Sequence, residues 1–165
     1  MEKEQEGILL ESGTNEIEIM KFTIAGEFYG INVAKVKEIM MSEHVKIMPH
    51  AHPAVEGIFK PRDTLITVID LGFYLTGNRL EHQYRDLFII TNFNKMTFAF
   101  RVLSIEGISR ISWKDIQKPD KTLSQGDESV ATGIAQCDDV LVTILDFEKI
   151  VAEIAPETTI QVAEV

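Results

Sequence analysis

The feature that most constrains the fold is an internal repeat. Residues 55–71 read VEGIFKPRDTLITVIDL, and residues 131–147 read ATGIAQCDDVLVTILDF. Both begin with a small residue two places before Gly-Ile and end in an aliphatic pair followed by Asp. A unit written twice in one short chain predicts two halves of one topology. Only the first copy carries Pro61 and Arg62, where the second has Cys137 and Asp138.

The repeat extends upstream with a different offset. Aligning Ile31 with Phe100 also matches Val33 with Val102 and Ile39 with Ile108, whereas Gly57 matches Gly133 only after a longer shift. The second copy therefore contains an insertion. It falls in Lys118–Asp127, where Pro, Gly, Ser and Asp predict a surface loop.

Most of each half has the pattern of short β-strands. Met96, Phe98, Phe100 and Val102 alternate with polar or small residues, which places them on one face of a pleated strand. The runs 65–69 and 140–145 are denser in aliphatic residues, which predicts strands buried on more than one side. Short strands at close intervals predict a mainly β chain with one small barrel in each half, at about 16–80 and 84–155.

Each copy ends in an aspartate that precedes a helical pattern. Asp70 and Asp146 are predicted N-caps, because a carboxylate there accepts hydrogen bonds from free helical amides. After Asp146, apolar residues recur at helical spacing and predict a C-terminal helix with one buried face. They are Phe147, Ile150, Val151 and Ile154.

Composition excludes several classes of function. The formal charge of −10 repels nucleic acid, and the single cysteine, Cys137, cannot form an internal disulfide. Neither a long apolar run nor a secretory signal is visible, which predicts a cytoplasmic protein.

Catalytic and cofactor motifs are absent from the sequence. We expect no cofactor, no metal and no enzymatic activity. The alternative is a metal-dependent enzyme that uses His44, His50 and His52 as ligands. Pro49 and Pro53 flank His50 and His52, however, and such a segment is more typical of an extended loop with surface histidines. A doubled barrel without such motifs favours an adaptor that binds other proteins.

The chain resembles the CheW-like domains of bacterial chemotaxis coupling proteins. The resemblance rests on residues 55–71 and on Phe28–Ile39, FYGINVAKVKEI, and it covers about 16–154. Residues 8–19 are similar to CheV proteins, in which a receiver domain follows the CheW-like domain. We expect an extension at 1–15 and a linker or tail at 156–165, with the receiver absent from this chain. A free-standing CheW-type protein and another peptide-binding signalling barrel are the alternatives.

The resemblance implies two intertwined five-stranded barrels of SH3-like topology. It also implies a scaffold that couples the cytoplasmic tips of chemoreceptors to the regulatory domain of the histidine kinase CheA, at receptor arrays on the inner face of the membrane. No reaction is catalysed and nothing inserts into the bilayer.

Five residues match positions that the family uses for kinase or receptor binding: Val36, Glu38, Ile39, Gly57 and Arg62. Three of the five also have a structural alternative. Arg62 can simply pair with a neighbouring carboxylate, Gly57 can serve the backbone, since Gly133 repeats it, and Val36 can belong to the core. Pro61, Asp63 and Thr67 stand where the family usually has an aliphatic residue, Gly and Pro, and these departures are expected to change the affinity for the partners relative to a common coupling protein.

Overall fold

The computed structural model describes residues 15–79, 85–93, 95–118 and 130–154. These residues form ten strands and two short helices. One 3-10 turn, Val33–Lys35, follows β2, and a second, Trp113–Asp115, follows β8. The strands are β1 Glu16–Ile24, β2 Glu27–Asn32, β3 Glu38–Met41, β4 Val55–Phe59, β5 Ile66–Asp70, β6 Leu87–Phe93, β7 Met96–Val102, β8 Ser104–Ser112, β9 Ala131–Cys137 and β10 Val140–Leu145. The helices are α1 Leu71–Thr76 and α2 Phe147–Ile154.

The strands form two five-stranded sheets. The first has the order β8-β1-β2-β10-β9, and the second has the order β3-β6-β7-β5-β4. A backbone bridge closes each sheet towards a barrel: Gln117 pairs with Ile134 of β9, and Lys46 pairs with Ile58 of β4. We call the first sheet barrel A and the second barrel B. The predicted mainly β fold with two five-stranded units is confirmed.

The two copies of the repeat exchange their first two strands. Copy one runs from β1 to β5 and copy two from β6 to β10, yet barrel A combines β1 and β2 with β8, β9 and β10. Barrel B combines β6 and β7 with β3, β4 and β5. The prediction of one barrel in each half, at about 16–80 and 84–155, is therefore wrong. The parallel pairs β2–β10 and β5–β7 join strands of different copies, so each barrel needs both.

The largest apolar core lies between the barrels and the two helices. Phe22 of β1 and Phe100 of β7 both contact the ring of Phe147 on α2, with ring centroids 6.0 and 4.1 Å apart. Smaller clusters fill each barrel, around Val142 in barrel A and around Phe88 in barrel B. The predicted apolar face of the C-terminal helix is confirmed, since all four of its predicted residues are buried.

Both predicted N-caps are confirmed. The Asp70 carboxylate accepts a hydrogen bond from the amide of Phe73 at 3.0 Å. The Asp146 carboxylate accepts one from Glu148 and one from Lys149. The two copies thus end their last strand in the same way and begin a helix at the same point of the repeat.

The aliphatic runs of the repeat are buried on both faces over most of their length, as predicted. Val68 of β5 lies in the core of barrel B and Ile69 in the main core, while Val142 of β10 lies in the core of barrel A and Leu145 in the main core. Leu65 and Leu141, near the start of each run, are instead 60% and 64% exposed. Both leucines occupy the same place in the repeat, so the exposure is a property of the shared architecture.

The predicted extension at 1–15 except Asn15, the predicted insertion at 118–127 except Lys118, and the predicted tail at 156–165 lie outside the described residues. Within the described part of the chain, the helices are too short or too polar to cross a bilayer.

Candidate docking site

A loop of copy one places Arg62 at one end of barrel B. β4 ends at Phe59 and β5 begins at Ile66, so six residues connect them. In copy two the equivalent strands continue to Cys137 and Val140, which pair with each other, and Asp138 and Asp139 make a two-residue turn with positive φ. Pro61 replaces Cys137 in copy one and lacks the N–H that such a pairing uses. The proline therefore opens the hairpin into the loop that carries Arg62.

Arg62 meets Glu38 across the barrel mouth. Its Nη2 atom donates to Oε1 of Glu38 at 3.3 Å and to Oε2 at 3.5 Å. The Arg62 side chain is 72% exposed and the Glu38 side chain 34% exposed. An ion pair this exposed contributes less than about 1 kcal/mol to folding stability. The guanidinium group remains accessible to a partner while one carboxylate limits its range of positions.

Ile39 follows Glu38 on β3 but lies on the opposite side of the strand. Side chains of β3 alternate, so that Met40 packs against the core of barrel B on the Glu38 side while Ile39 and Met41 face outward. Ile39 is 41% exposed and Met41 is 58% exposed. These two residues form a small exposed apolar patch, which is a feature of many protein interfaces.

Gly57 is buried and serves the closure of barrel B. Its φ of +154° is unfavourable for residues with a side chain, and a Cβ atom there would lie 2.1 Å from the carbonyl oxygen of Lys46. Lys46 is the residue that bridges to Ile58 and closes the barrel. At Gly133, a Cβ atom would lie 2.3 Å from Cγ2 of Ile116, next to the bridge at Gln117. The repeated glycine thus marks the same closing contact in both barrels.

Val36 is half-buried and packs against the main core. It follows the first 3-10 turn, and its amide donates to the carbonyl of Val33 at 3.0 Å. The next residue, Lys37, donates to the carbonyl of Ile90 at 2.8 Å and begins the pairing of β3 with β6. Val36 therefore ends the 3-10 turn two residues before β3 begins at Glu38.

The structure brings together two of the five predicted residues, Glu38 and Arg62, and we call this pair the Arg62 face. Ile39 lies on the other side of β3, Val36 is half-buried against the main core, and Gly57 is buried in β4. Sequence reasoning missed Met41 and Leu65, two exposed apolar residues on the same barrel. The spacing of Met41 from Ile39 was the available signal, because residues two apart on a strand share a face.

In copy two the residue equivalent to Arg62 makes an internal contact. Asp138 accepts a hydrogen bond from Nζ of Lys21 at 3.1 Å, and the Lys21 side chain is 9% exposed. Next to it, Cys137 is buried, and burial raises the pKa of its thiol. A protonated, buried thiol is a poor nucleophile. Barrel A thus has a scaffold contact at the position where barrel B presents an arginine.

The three histidines of the metal hypothesis do not form a cluster. His44, His50 and His52 are all exposed, and Nδ1 of His52 accepts a hydrogen bond from the amide of Ala54. Among the residues that the structure describes, no three His, Cys, Asp or Glu side chains are grouped so as to hold a metal ion.

Comparison with known proteins identifies similar chains. The model of the family described as CheW-like domain matches residues 18–155. The chemotaxis protein CheV3 of Helicobacter pylori is 32% identical over 85% of this chain and 49% of its own length. The chemotaxis protein CheW of Treponema pallidum is 27% identical over 82% of both chains. The chain thus spans about half the length of the CheV3 protein.

A solved structure has the same fold. The crystal structure of the scaffolding protein TtCheW from Thermoanaerobacter tengcongensis superimposes with a TM-score of 0.70 and 25% identity. The alignment covers 78% of this chain and 83% of that one.

Proposed function

Because the chain belongs to the CheW-like domain family, we propose that it is a non-catalytic chemotaxis adaptor that couples chemoreceptors to the histidine kinase CheA. The names of its relatives support this proposal, since they include CheV and CheW chemotaxis proteins and a CheW scaffolding protein. In this role the adaptor works in the cytoplasm at receptor arrays. Its partners are the regulatory domain of CheA and the cytoplasmic tips of the receptors.

The observation that carries the proposal for the site is the exposed guanidinium of Arg62. A loop that only copy one possesses holds it beside Glu38. Arginine suits such a place because its planar group binds carboxylates and carbonyl oxygens with two donors at once. We assign the Arg62 face to direct contact with the kinase or receptor. Val36 and Gly57 contribute indirectly, Val36 at the turn before β3 and Gly57 through the closure of barrel B.

A charge-reversal series tests this assignment. Titration calorimetry with the CheA regulatory domain and with a receptor-tip fragment is expected to show that Arg62→Glu weakens binding to one of them. A hot-spot arginine predicts a loss of about 2 kcal/mol, which is roughly 30-fold in Kd. Thermal unfolding should be nearly unchanged, because the Glu38 pair is exposed. Arg110→Glu is the matched control, since Arg110 is also exposed and also paired with carboxylates, but on barrel A.

The double variant Glu38→Arg, Arg62→Glu separates contact from local pairing. It restores an ion pair across the barrel mouth with the charges exchanged. If Arg62 contacts the partner, binding remains lost in the double variant. Recovery of binding would show that the pair only positions the loop, and unchanged binding in Arg62→Glu alone would remove Arg62 from the site. Failure of the native chain to bind either partner would favour a barrel that serves another signalling peptide.

We favour a CheV-type over a CheW-type adaptor because identity is 32% to CheV3 and 27% to the CheW of Treponema pallidum. The gene sequence beyond the codon for Val165 tests this choice. A receiver domain encoded in frame supports the CheV type, and a stop codon contradicts it.

A further inference from the structure

A cavity of about 460 Å³ lies where the core of barrel A meets the main core. Its floor consists of six apolar residues that are at most 9% exposed: Ile17, Ile31, Phe93, Ile144, Leu145 and Phe147. Both cores contribute to this floor, so packing on both sides holds it in place. The volume lies within the range of about 300–1,000 Å³ that is typical of small-molecule sites.

An ion cluster fills the corresponding end of barrel B. Arg101 donates two hydrogen bonds to Glu56 at 2.8 and 2.6 Å, and its Nη1 atom lies 3.3 Å from a carboxylate oxygen of Asp86. The side chains of these three residues are at most 13% exposed. The cluster thus links β4 and β7 with the residue that precedes β6.

The repeat places shorter or apolar side chains at the same three positions of barrel A. The two alignments of the repeat give the corresponding residues, all of which line the cavity: Asn32 for Arg101, Ile17 for Asp86 and Thr132 for Glu56. These replacements remove one long side chain and two carboxylates. The space that an ion cluster fills in barrel B is therefore a cavity in barrel A, and its floor is apolar instead of charged.

The rim of the cavity presents hydrogen-bond donors. Within the part of the chain that the structure describes, neither Nζ of Lys118 nor the indole N–H of Trp113 has a partner. The two rim carboxylates are engaged, because Asp146 accepts hydrogen bonds from two amides of α2 and Glu148 lies 3.9 Å from Nζ of Lys35. A carboxylate finds free donors here, whereas a cationic group has to compete for carboxylates that already have partners.

We propose that this cavity binds a small carboxylate with an apolar body, such as a medium-chain fatty acid. The body packs on the apolar floor, and the carboxylate accepts hydrogen bonds from Lys118 and the Trp113 indole. A small molecule suits the site better than a protein surface, because the apolar wall is recessed. Of the described large apolar residues that line the cavity, only Trp113 is exposed, whereas a stable protein interface covers about 800 Å² on each partner.

Fluorescence of Trp113 tests the proposal, because Trp113 is the single tryptophan of the chain and lies on the rim. Octanoate is expected to change the Trp113 emission until the site is saturated. Octanamide has the same body and a neutral head, and we expect it to bind about fivefold more weakly, as for the loss of one exposed ion pair. Lys118→Gln should lower the affinity for octanoate to that for octanamide. Lys114→Gln is the matched control and should leave both affinities unchanged, since Lys114 is exposed beside Trp113 but does not line the cavity.

A second measurement locates the bound probe in the native chain. With isoleucine methyl labelling, nuclear Overhauser contacts are expected from octanoate to Ile31 and Ile144 on the cavity floor. The proposal is overturned if millimolar octanoate leaves the Trp113 emission unchanged, or if the contacts fall on residues outside the cavity. It is also overturned if octanamide binds as tightly as octanoate, or if Lys118→Gln binds octanoate as tightly as the native chain.

Discussion

Gly57 carries the sharpest prediction for a single residue. Gly57→Ala is expected to lower the free energy of unfolding by about 2–4 kcal/mol, because the added Cβ meets the Lys46 backbone and φ is unfavourable. Gly133→Ala should cost less, since its φ lies outside the region that favours glycine and its Cβ meets a side-chain methyl group, Cγ2 of Ile116, rather than backbone. Gly26→Ala is the control for φ alone, with open space around it. Urea unfolding of the three variants ranks their losses in the free energy of unfolding. An equal loss at all three positions would contradict the closure role of Gly57.

Arg101 and Arg110 both pair with two carboxylates, but they differ in burial, so we expect their replacement by alanine to change the stability of the fold by different amounts. Arg101 is 8% exposed and binds Glu56 through two hydrogen bonds, with Asp86 at 3.3 Å. Arg101→Ala leaves two carboxylates in a buried site and is expected to destabilise the fold by about 3–5 kcal/mol. Arg110 also meets two carboxylates, Glu16 and Glu18, but in solvent. Arg110→Ala should leave the unfolding midpoint within error, and similar losses for both variants would contradict the burial argument.

At the scale of single residues, the sequence indicates which positions are special better than it indicates their contacts or their exposure. The mismatch of Arg62 with Asp138 indicated a special position, and the repetition of Gly57 at Gly133 pointed to a backbone requirement. The contact of Arg62 with Glu38 was beyond such reasoning, since 24 residues separate them and only the folded barrel mouth brings them together. Repeat comparison also located Leu65 and Leu141 but not their exposure, which depends on the outer face of each barrel.

The exchange of strand pairs is the main property at the scale of elements. Because β1 and β2 belong to barrel A while β3, β4 and β5 belong to barrel B, a fragment of residues 15–80 lacks three strands of one barrel and two of the other. We expect that fragment and its complement, 84–155, to be largely unfolded alone and to form a folded complex when mixed. Circular dichroism measures how much structure each fragment and the mixture have, and size-exclusion chromatography detects the complex. Cooperative unfolding of either fragment alone would contradict the exchange.

The residue pattern predicts the strands but not their partners; that the two barrels intertwine was implied by the family resemblance alone. Alternation of apolar residues located most strands, and the terminal aspartates located both helix starts. Because the two copies have the same apolar pattern, the sequence does not show whether β1 and β2 pair with the last three strands of copy one or with those of copy two. The short connections between β2 and β3 and between β7 and β8 decide the choice, together with the core that both barrels share.

For the whole molecule, the exchange of strands has a consequence for function. Neither barrel folds from a continuous half, so the relative placement of the two barrels is built into the chain through β2–β10 and β5–β7. A rigid pair of barrels suits an adaptor that holds two partners in a fixed arrangement. The two ends of the pair are nonetheless different, because only barrel B has the long loop that presents Arg62.

Retention of the kinase on receptor vesicles is the most direct test of the adaptor role. Vesicles that contain receptor signalling domains are sedimented with CheA, with and without this chain, and with the Arg62→Glu variant. The proposed function predicts that CheA sediments well above background only when the native chain is present, and that the variant lowers the amount retained. Equal retention of CheA with and without the chain, under conditions where an established CheW raises it, would contradict the coupling function.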